Sequence, residues 1–184
     1  MVTYKFLNVI EKCIDCGSCF TICKETNKVP QGIARVKVVT VNEGKPGERS
    51  IPISCMHCTN PPCEAACPTK AIHKREEDGI VMVDKHKCIG CGYCGWACPF
   101  GAPQYPHGLH GDLKEWEGIM DKCTLCVQPF VPLEKEREPS PRCALFCSTK
   151  CRLGGDIAAI LPVYREKKAI YTARWQESPV VTGG

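Results

Sequence analysis

The sequence predicts an α+β fold: two small modules of short strands and short helices, one inserted into the other, with long connecting loops. Three observations carry that expectation. Sixteen of the seventeen cysteines fall into four groups of four. Runs of Val, Ile and aromatic residues at roughly alternating positions lie beside the groups, with the period of half-buried strands. Cys63 with Cys67, and Cys94 with Cys98, stand four apart, a spacing that puts both side chains on one side of a helical turn.

In chain order, residues 4–10 read as a first strand and lead into the first group, Cys13, Cys16, Cys19 and Cys23, spaced C-x2-C-x2-C-x3-C. Residues 33–41 read as a second strand. The second group is Cys55, Cys58, Cys63 and Cys67. It closes on a helical turn over 63–70, where Pro68 sits because the backbone must leave the loop. After the turn signal Asp78-Gly79, residues 80–84 read as a third strand. The third group, Cys88, Cys91, Cys94 and Cys98, repeats the first spacing and ends in a helical turn over 94–99 with Pro99. Residues 101–118, with four glycines, and 127–141, with four prolines, read as turn-rich loops. They flank Cys123 and Cys126, which form the fourth group with Cys143 and Cys147. Residues 161–184 show no helical period and are expected to form an arm, a strap or a docking segment.

The spacing of groups one and three is that of the bacterial iron-sulfur run, in which three thiolates hold one cubane and the fourth reaches to another. Four groups therefore imply four 4Fe-4S clusters in ferredoxin-like modules. Groups two and three lie close together and pair most simply with each other, leaving group one to pair with group four. The inner module then spans 50–118 and is inserted into an outer module of 1–49 and 119–160, with 161–184 as the arm. Zinc is the rival guest, since Cys123-x2-Cys126 with Cys143-x3-Cys147 resembles two zinc hooks. Tetrahedral zinc has no use for three cysteines at successive x2 spacings followed by a fourth and a proline. A disulfide framework fits poorly, because the cysteine count is odd and residues 1–10 contain Lys5 and Asn8 rather than a secretory apolar stretch.

Hydrophobic content of 43% and charged content of 24% are those of a folded globular protein, which excludes disorder. The formal charge of +4 does not point to nucleic acid. Sixteen thiolates and four oxidised cores of about +2 each bring the loaded chain to about −4. The lysines and arginines are also scattered. No apolar run reaches the roughly 18 residues of a membrane span. No dinucleotide fingerprint, phosphate loop, zinc-protease helix or nucleophile with a base occurs. Clusters with four cysteine ligands offer no open corner to a substrate, so the chain is expected to transfer single electrons and not to catalyse a conversion alone. Among the neighbours, His57 is expected to pack beside the second group, Tyr93 and Trp96 to shield a cluster from water, and Cys151 to be a small buried hydrophobe.

The stretches C-I-D-C-G-S-C-F-T-I-C, C-M-H-C-T-N-P-P-C-E-A-A-C-P-T-K-A-I, C-I-G-C-G-Y-C-G-W-A-C-P-F-G-A-P, D-K-C-T-L-C and P-R-C-A-L-F-C-S-T-K-C-R-L-G-G-D span residues 13–156. They resemble the four-cluster electron-transfer subunits of the dimethyl sulfoxide reductase type of molybdenum or tungsten enzymes. The resemblance implies one cluster on Cys13, Cys16, Cys19 and Cys147, and its companion on Cys23, Cys123, Cys126 and Cys143. It implies a third on Cys55, Cys58, Cys63 and Cys98, and a fourth on Cys67, Cys88, Cys91 and Cys94. Some members carry Trp at the position of Cys91 and hold a 3Fe-4S cluster there; this sequence keeps cysteine, so four cubanes are implied. It departs from the pattern at Ser148, where proline is usual, and at Cys151, where alanine is usual.

The same resemblance implies a large catalytic partner, of the Mo or W bis-pterin type, and a further electron donor or acceptor, without nucleic acid and without a span of its own. Similar proteins serve carbon monoxide dehydrogenase, hydrogenases and tungsten enzymes of the aldehyde oxidoreductase type. A freely diffusing polyferredoxin shuttle and a zinc-stabilised interaction module are the alternatives from other classes. The expected compartment is the cytoplasm, or an exported complex carried by a partner's signal.

Overall fold

The computed structural model describes residues 2–177. Residues 178–184, the end of the expected arm, lie outside the described residues. The fold is mixed α and β, with no large sheet. Three two-stranded antiparallel ladders are present among the described residues. Strand β1 (Tyr4–Asn8) pairs with β6 (Arg152–Asp156), β2 (Val36–Val41) with β3 (Arg49–Ser54), and β4 (Ile72–Lys74) with β5 (Val81–Val83). The helices are α1 (Ser18–Asn27), α2 (Pro62–Ala65), α3 (Tyr93–Ala97), α4 (Arg142–Leu145) and α5 (Ile157–Glu177).

The three expected strands form inside the expected ranges, as β1, β2 and β5. Two of the others carry sequences that disguise them. β3 contains Pro52, which donates no ladder hydrogen bond, and β6 contains Gly154 and Gly155, poor strand residues. Gly154 is required by its partner. A Cβ there would lie 2.7 Å from the Phe6 ring and 3.0 Å from Pro141. The β2–β3 hairpin runs across the boundary expected between residues 49 and 50.

Two parts of the molecule are built alike. In β4–β5 the register sets Ile72 opposite Val83, five residues before Cys88; in β6–β1 it sets Arg152 opposite Asn8, five residues before Cys13. Helix α2 carries Cys63 and precedes Cys67, as α4 carries Cys143 and precedes Cys147. Lys70 and Lys150 both take a left-handed backbone, with φ of 55° and 52°. The likeness is permuted: groups two then three in one part answer to groups four then one in the other.

The tail does not match its expectation. Ile157–Glu177 is a helix of 21 residues. Its apolar residues are spread around the axis, so no amphipathic period marks it. Ala158, Ala159, Leu161, Arg165, Glu166, Lys167 and Lys168 are instead strong helix formers. The Asp156 carboxylate accepts a hydrogen bond from the Ala158 amide (3.3 Å) and so caps the first turn. The helix packs on β1 and β6, and Lys168 pairs with Glu11.

The core is divided, and most of it surrounds sulfur. Phe6, Ile80, Met82, Leu125 and Val127 bury with Cys55, Cys123 and Cys143. Ala71, Ile72, Val81 and Met120 bury with Cys63, Cys67 and Cys94. The two expected loops contribute a third, cysteine-free cluster, where Leu109, Trp116 and Phe130 meet Val29 and Ile33.

Candidate metal centres

Left-handed glycines shape the cysteine loops. Gly17 (φ 69°) precedes α1 and Gly92 (φ 84°) precedes α3, seating Cys19 and Cys94 in the first helical turns. Gly90 is tighter still, since a Cβ there would lie 2.6 Å from the Gly118 carbonyl oxygen. Pro61 and Pro141 accept the first hydrogen bonds of α2 and α4, from Glu64 and Ala144.

These loops bring the cysteines together in foursomes that mix groups. One cavity is lined by Cys55, Cys58, Cys63 and Cys98, and a second by Cys67, Cys88, Cys91 and Cys94. A third is lined by Cys13, Cys16, Cys19 and Cys147, with Cys151 as a fifth sulfur. Cys151 is 2% exposed, so it is buried as expected, but against this cavity. The remaining four, Cys23, Cys123, Cys126 and Cys143, are all buried near one another. Burial pushes the Cys23 thiol up to about 12, and the charges of Cys143 and Cys126 add to it. Asn27 Nδ2 donates to Cys126 Sγ (3.5 Å) and reaches Cys23 Sγ at 3.7 Å.

The foursomes form a series. Burial raises the Cys19 thiol, and Cys143 of the next foursome adds to the rise. Cys123 is likewise raised by burial, then by its own neighbours and by Cys55 of the third. Helix α2 and its end join Cys63 to Cys67 and so the third foursome to the fourth. Only Cys16 and Cys91 are exposed, one in each terminal foursome.

Buried cations accompany the sulfurs. Lys122, on the wall of the Cys55 cavity, donates to the Val81 and Cys123 carbonyls. Arg152 Nε donates to Cys143 Sγ (3.3 Å) while its guanidinium lines the Cys13 cavity. Arg35 grips Asp121 with two 2.8 Å hydrogen bonds, and Lys85 adds a third contact at 3.0 Å. Burial alone would raise the Asp121 carboxyl, but Arg35 and Lys85 overcome it and hold the group below its usual range.

His57 packs as expected. It is fully buried, its Nδ1 accepts from the Val81 amide (3.0 Å), and burial, followed by Lys122, holds the ring neutral. Tyr93 and Trp96 are a correction. They are 58% and 93% exposed and cover nothing, because α3 turns Cys94 inward and so turns its neighbours out. Tyr105, from the 101–118 loop, takes that place with its hydroxyl 3.0 Å from Cys94 Sγ. Gly95 makes room for it, since a Cβ there would approach the hydroxyl to 3.2 Å. The spacing of the cysteines does not point to Tyr105, Asn27 or Lys122. Aligning C-P-T-K-A-I with C-S-T-K-C-R would have exposed Arg152 as the counterpart of Ile72.

The donor set fits iron-sulfur clusters. All seventeen cysteines carry free thiols. Each of the three cavities is lined by four cysteines of one foursome, as one repeated guest requires. Among the described residues, no three His, Cys, Asp or Glu side chains stand close enough to share one metal ion. Burial also raises the Cys63 thiol to about 11 and raises that of Cys123. Ligation requires thiolates, so the positive charge of a bound core takes the place of those protons.

This fold and these foursomes define a carrier of several iron-sulfur clusters. Residues 49–157 match the family model described as "4Fe-4S dicluster domain", and residues 12–71 match a second model of the same description. The protein belongs to the 4Fe-4S dicluster domain family and holds four 4Fe-4S clusters. It is 45% identical over 170 residues to the formate dehydrogenase iron-sulfur subunit of Wolinella succinogenes, covering 85% of this protein and 82% of that one. It is 37% identical over 151 residues to the thiosulfate reductase electron transfer subunit PhsB of Salmonella typhi, covering 79% and 72%. Over 183 residues it is 32% identical to the B polypeptide of the anaerobic dimethyl sulfoxide reductase of Escherichia coli, covering 88% and 82%. No helix among the described residues is long and apolar enough to cross a membrane.

Proposed function

We propose that this protein is the electron-transfer subunit of an oxidoreductase complex, relaying single electrons between a catalytic subunit of the Mo or W bis-pterin type and a second redox partner. A 4Fe-4S cluster supplies one-electron exchange at a potential that its surroundings set. The protein's own residues hold, order and insulate the clusters. The observation that carries the reading is the series of all-cysteine foursomes, buried in the middle and exposed at the ends through Cys16 and Cys91. Such a series connects two partners and leaves no position for a substrate.

In this reading the ligand sets are Cys13, Cys16, Cys19 and Cys147; Cys23, Cys123, Cys126 and Cys143; Cys55, Cys58, Cys63 and Cys98; and Cys67, Cys88, Cys91 and Cys94. The grouping of cysteines around the three cavities supports them. The first two sets belong to an outer ferredoxin-like module and the last two to an inserted inner one, as the permuted likeness of β6–β1 and β4–β5 suggests. The partner class rests on the relatives named above.

Cys58→Ser and Cys91→Ser test the relay. Each is expected to abolish turnover of the native complex with its physiological partner while sparing catalysis driven by an artificial dye. Full turnover with the physiological partner in both variants overturns the relay. Retention of the catalytic subunit through gel filtration is the expected result for a subunit; its loss favours a free shuttle.

A further inference from the structure

Arg152 is 1% exposed and, among the described residues, pairs with no carboxylate. Its contacts are otherwise neutral. Nη1 donates to the Pro52 carbonyl (3.2 Å) and reaches Asn8 Oδ1 at 3.4 Å, Nη2 donates to the Ser54 hydroxyl, and the guanidinium lies 3.8 Å from the Phe6 ring centroid. An arginine is always charged, and a buried charge without a counter-ion is strongly unfavourable. The anions within its reach are sulfurs. Nε meets Cys143, and the side chain forms part of the wall around Cys13, Cys16, Cys19 and Cys147.

The corresponding cavity of the inner part has no such charge, although Lys122 lines the other inner cavity, that of Cys55, Cys58, Cys63 and Cys98. At the position of Arg152, set by the strand register and by the cysteine five residues before it, stands Ile72. The cavity of Cys67, Cys88, Cys91 and Cys94 is lined there by Ala71 and Ile72, and no lysine or arginine lines it. Reduction adds one negative charge to a cluster, and a fixed positive charge beside it favours the reduced form, the more so away from water.

We propose that the Arg152 charge holds the two outer-module clusters at higher reduction potentials than they would otherwise have, and so sets the Cys13 cluster apart from its inner counterpart on Cys67, Cys88, Cys91 and Cys94. This rests on the ligand sets proposed above. Arg152 acts through charge on the cluster ligands and is a positioning residue, not a catalytic one.

The test is a redox titration of the full iron-loaded protein, followed by electron paramagnetic resonance, with iron counted in each preparation. About sixteen irons and four one-electron steps in the unaltered protein check the cluster assignment itself. Arg152→Gln is expected to keep its iron and to lower two of the four midpoints, each by about 59 mV or more, a tenfold change for one electron. Arg152→Lys is expected to leave them in place. Asn8→Asp keeps the arginine, sets a carboxylate against it and is expected to lower the same two midpoints. Four unmoved midpoints in both Arg152→Gln and Asn8→Asp overturn the proposal, as does an Arg152→Lys shift equal to that of Arg152→Gln. Should Arg152→Gln lose iron, Asn8→Asp decides alone.

Discussion

Tyr105 shows how a single side chain sets a cluster's surroundings. Its hydroxyl meets Cys94 Sγ, and as the donor it stabilises the added electron on that ligand's cluster. Tyr105→Phe is expected to lower one of the four midpoints by the worth of one hydrogen bond, about 1 kcal/mol, read in the same titration. Asp121 acts on stability instead. It is the one carboxylate paired with both buried Arg35 and Lys85 among the described residues, so Asp121→Asn leaves two cations without their carboxylate and is expected to cost about 3–5 kcal/mol, measured as a lowered melting temperature of the loaded protein. The cysteine groups were legible in the sequence because each loop must present its sulfurs at fixed local spacing. Tyr105, Arg152 and Lys122 were not, because the turns and strands that aim them at the sulfurs are not encoded in the spacing of the cysteines. Trp96 was misread because sequence proximity to a ligand does not set the side of the helix on which a residue lies.

At the scale of elements, strands with alternating side chains announced themselves and those bent to serve a neighbour did not. β1, β2 and β5 fall in the expected ranges, whereas β6 hides behind Gly155 and Gly154, the latter demanded by Phe6. Gly154→Ala is expected to cost about 1–3 kcal/mol through overpacking at the centre of β1–β6, visible in thermal unfolding. Gly90→Ala is more local. Its Cβ would strike the Gly118 carbonyl from a left-handed backbone, so the loop that presents Cys88 and Cys91 cannot close. The expected outcome is a loss of about four of the roughly sixteen irons, by metal analysis, with the other clusters retained. α5 escaped notice for the opposite reason to β6: its residues favour a helix individually, but they make no stripe to read.

Over the whole molecule, metal and fold depend on one another. Isolated two-stranded ladders are at best marginally stable, and here three of them surround cores in which cysteines are principal members. Removing iron under anaerobic conditions is therefore expected to collapse the far-ultraviolet circular dichroism signal in one transition, not to leave a folded apoprotein. The permuted likeness of the two halves also reaches back to how the protein is made. All eight cysteines of the proposed inner module precede Cys123 in the sequence, whereas the proposed partners of the first group come last. In this reading the inner clusters need nothing that follows them, and a released polypeptide ending just before Cys123 should carry about eight irons rather than a random share of sixteen.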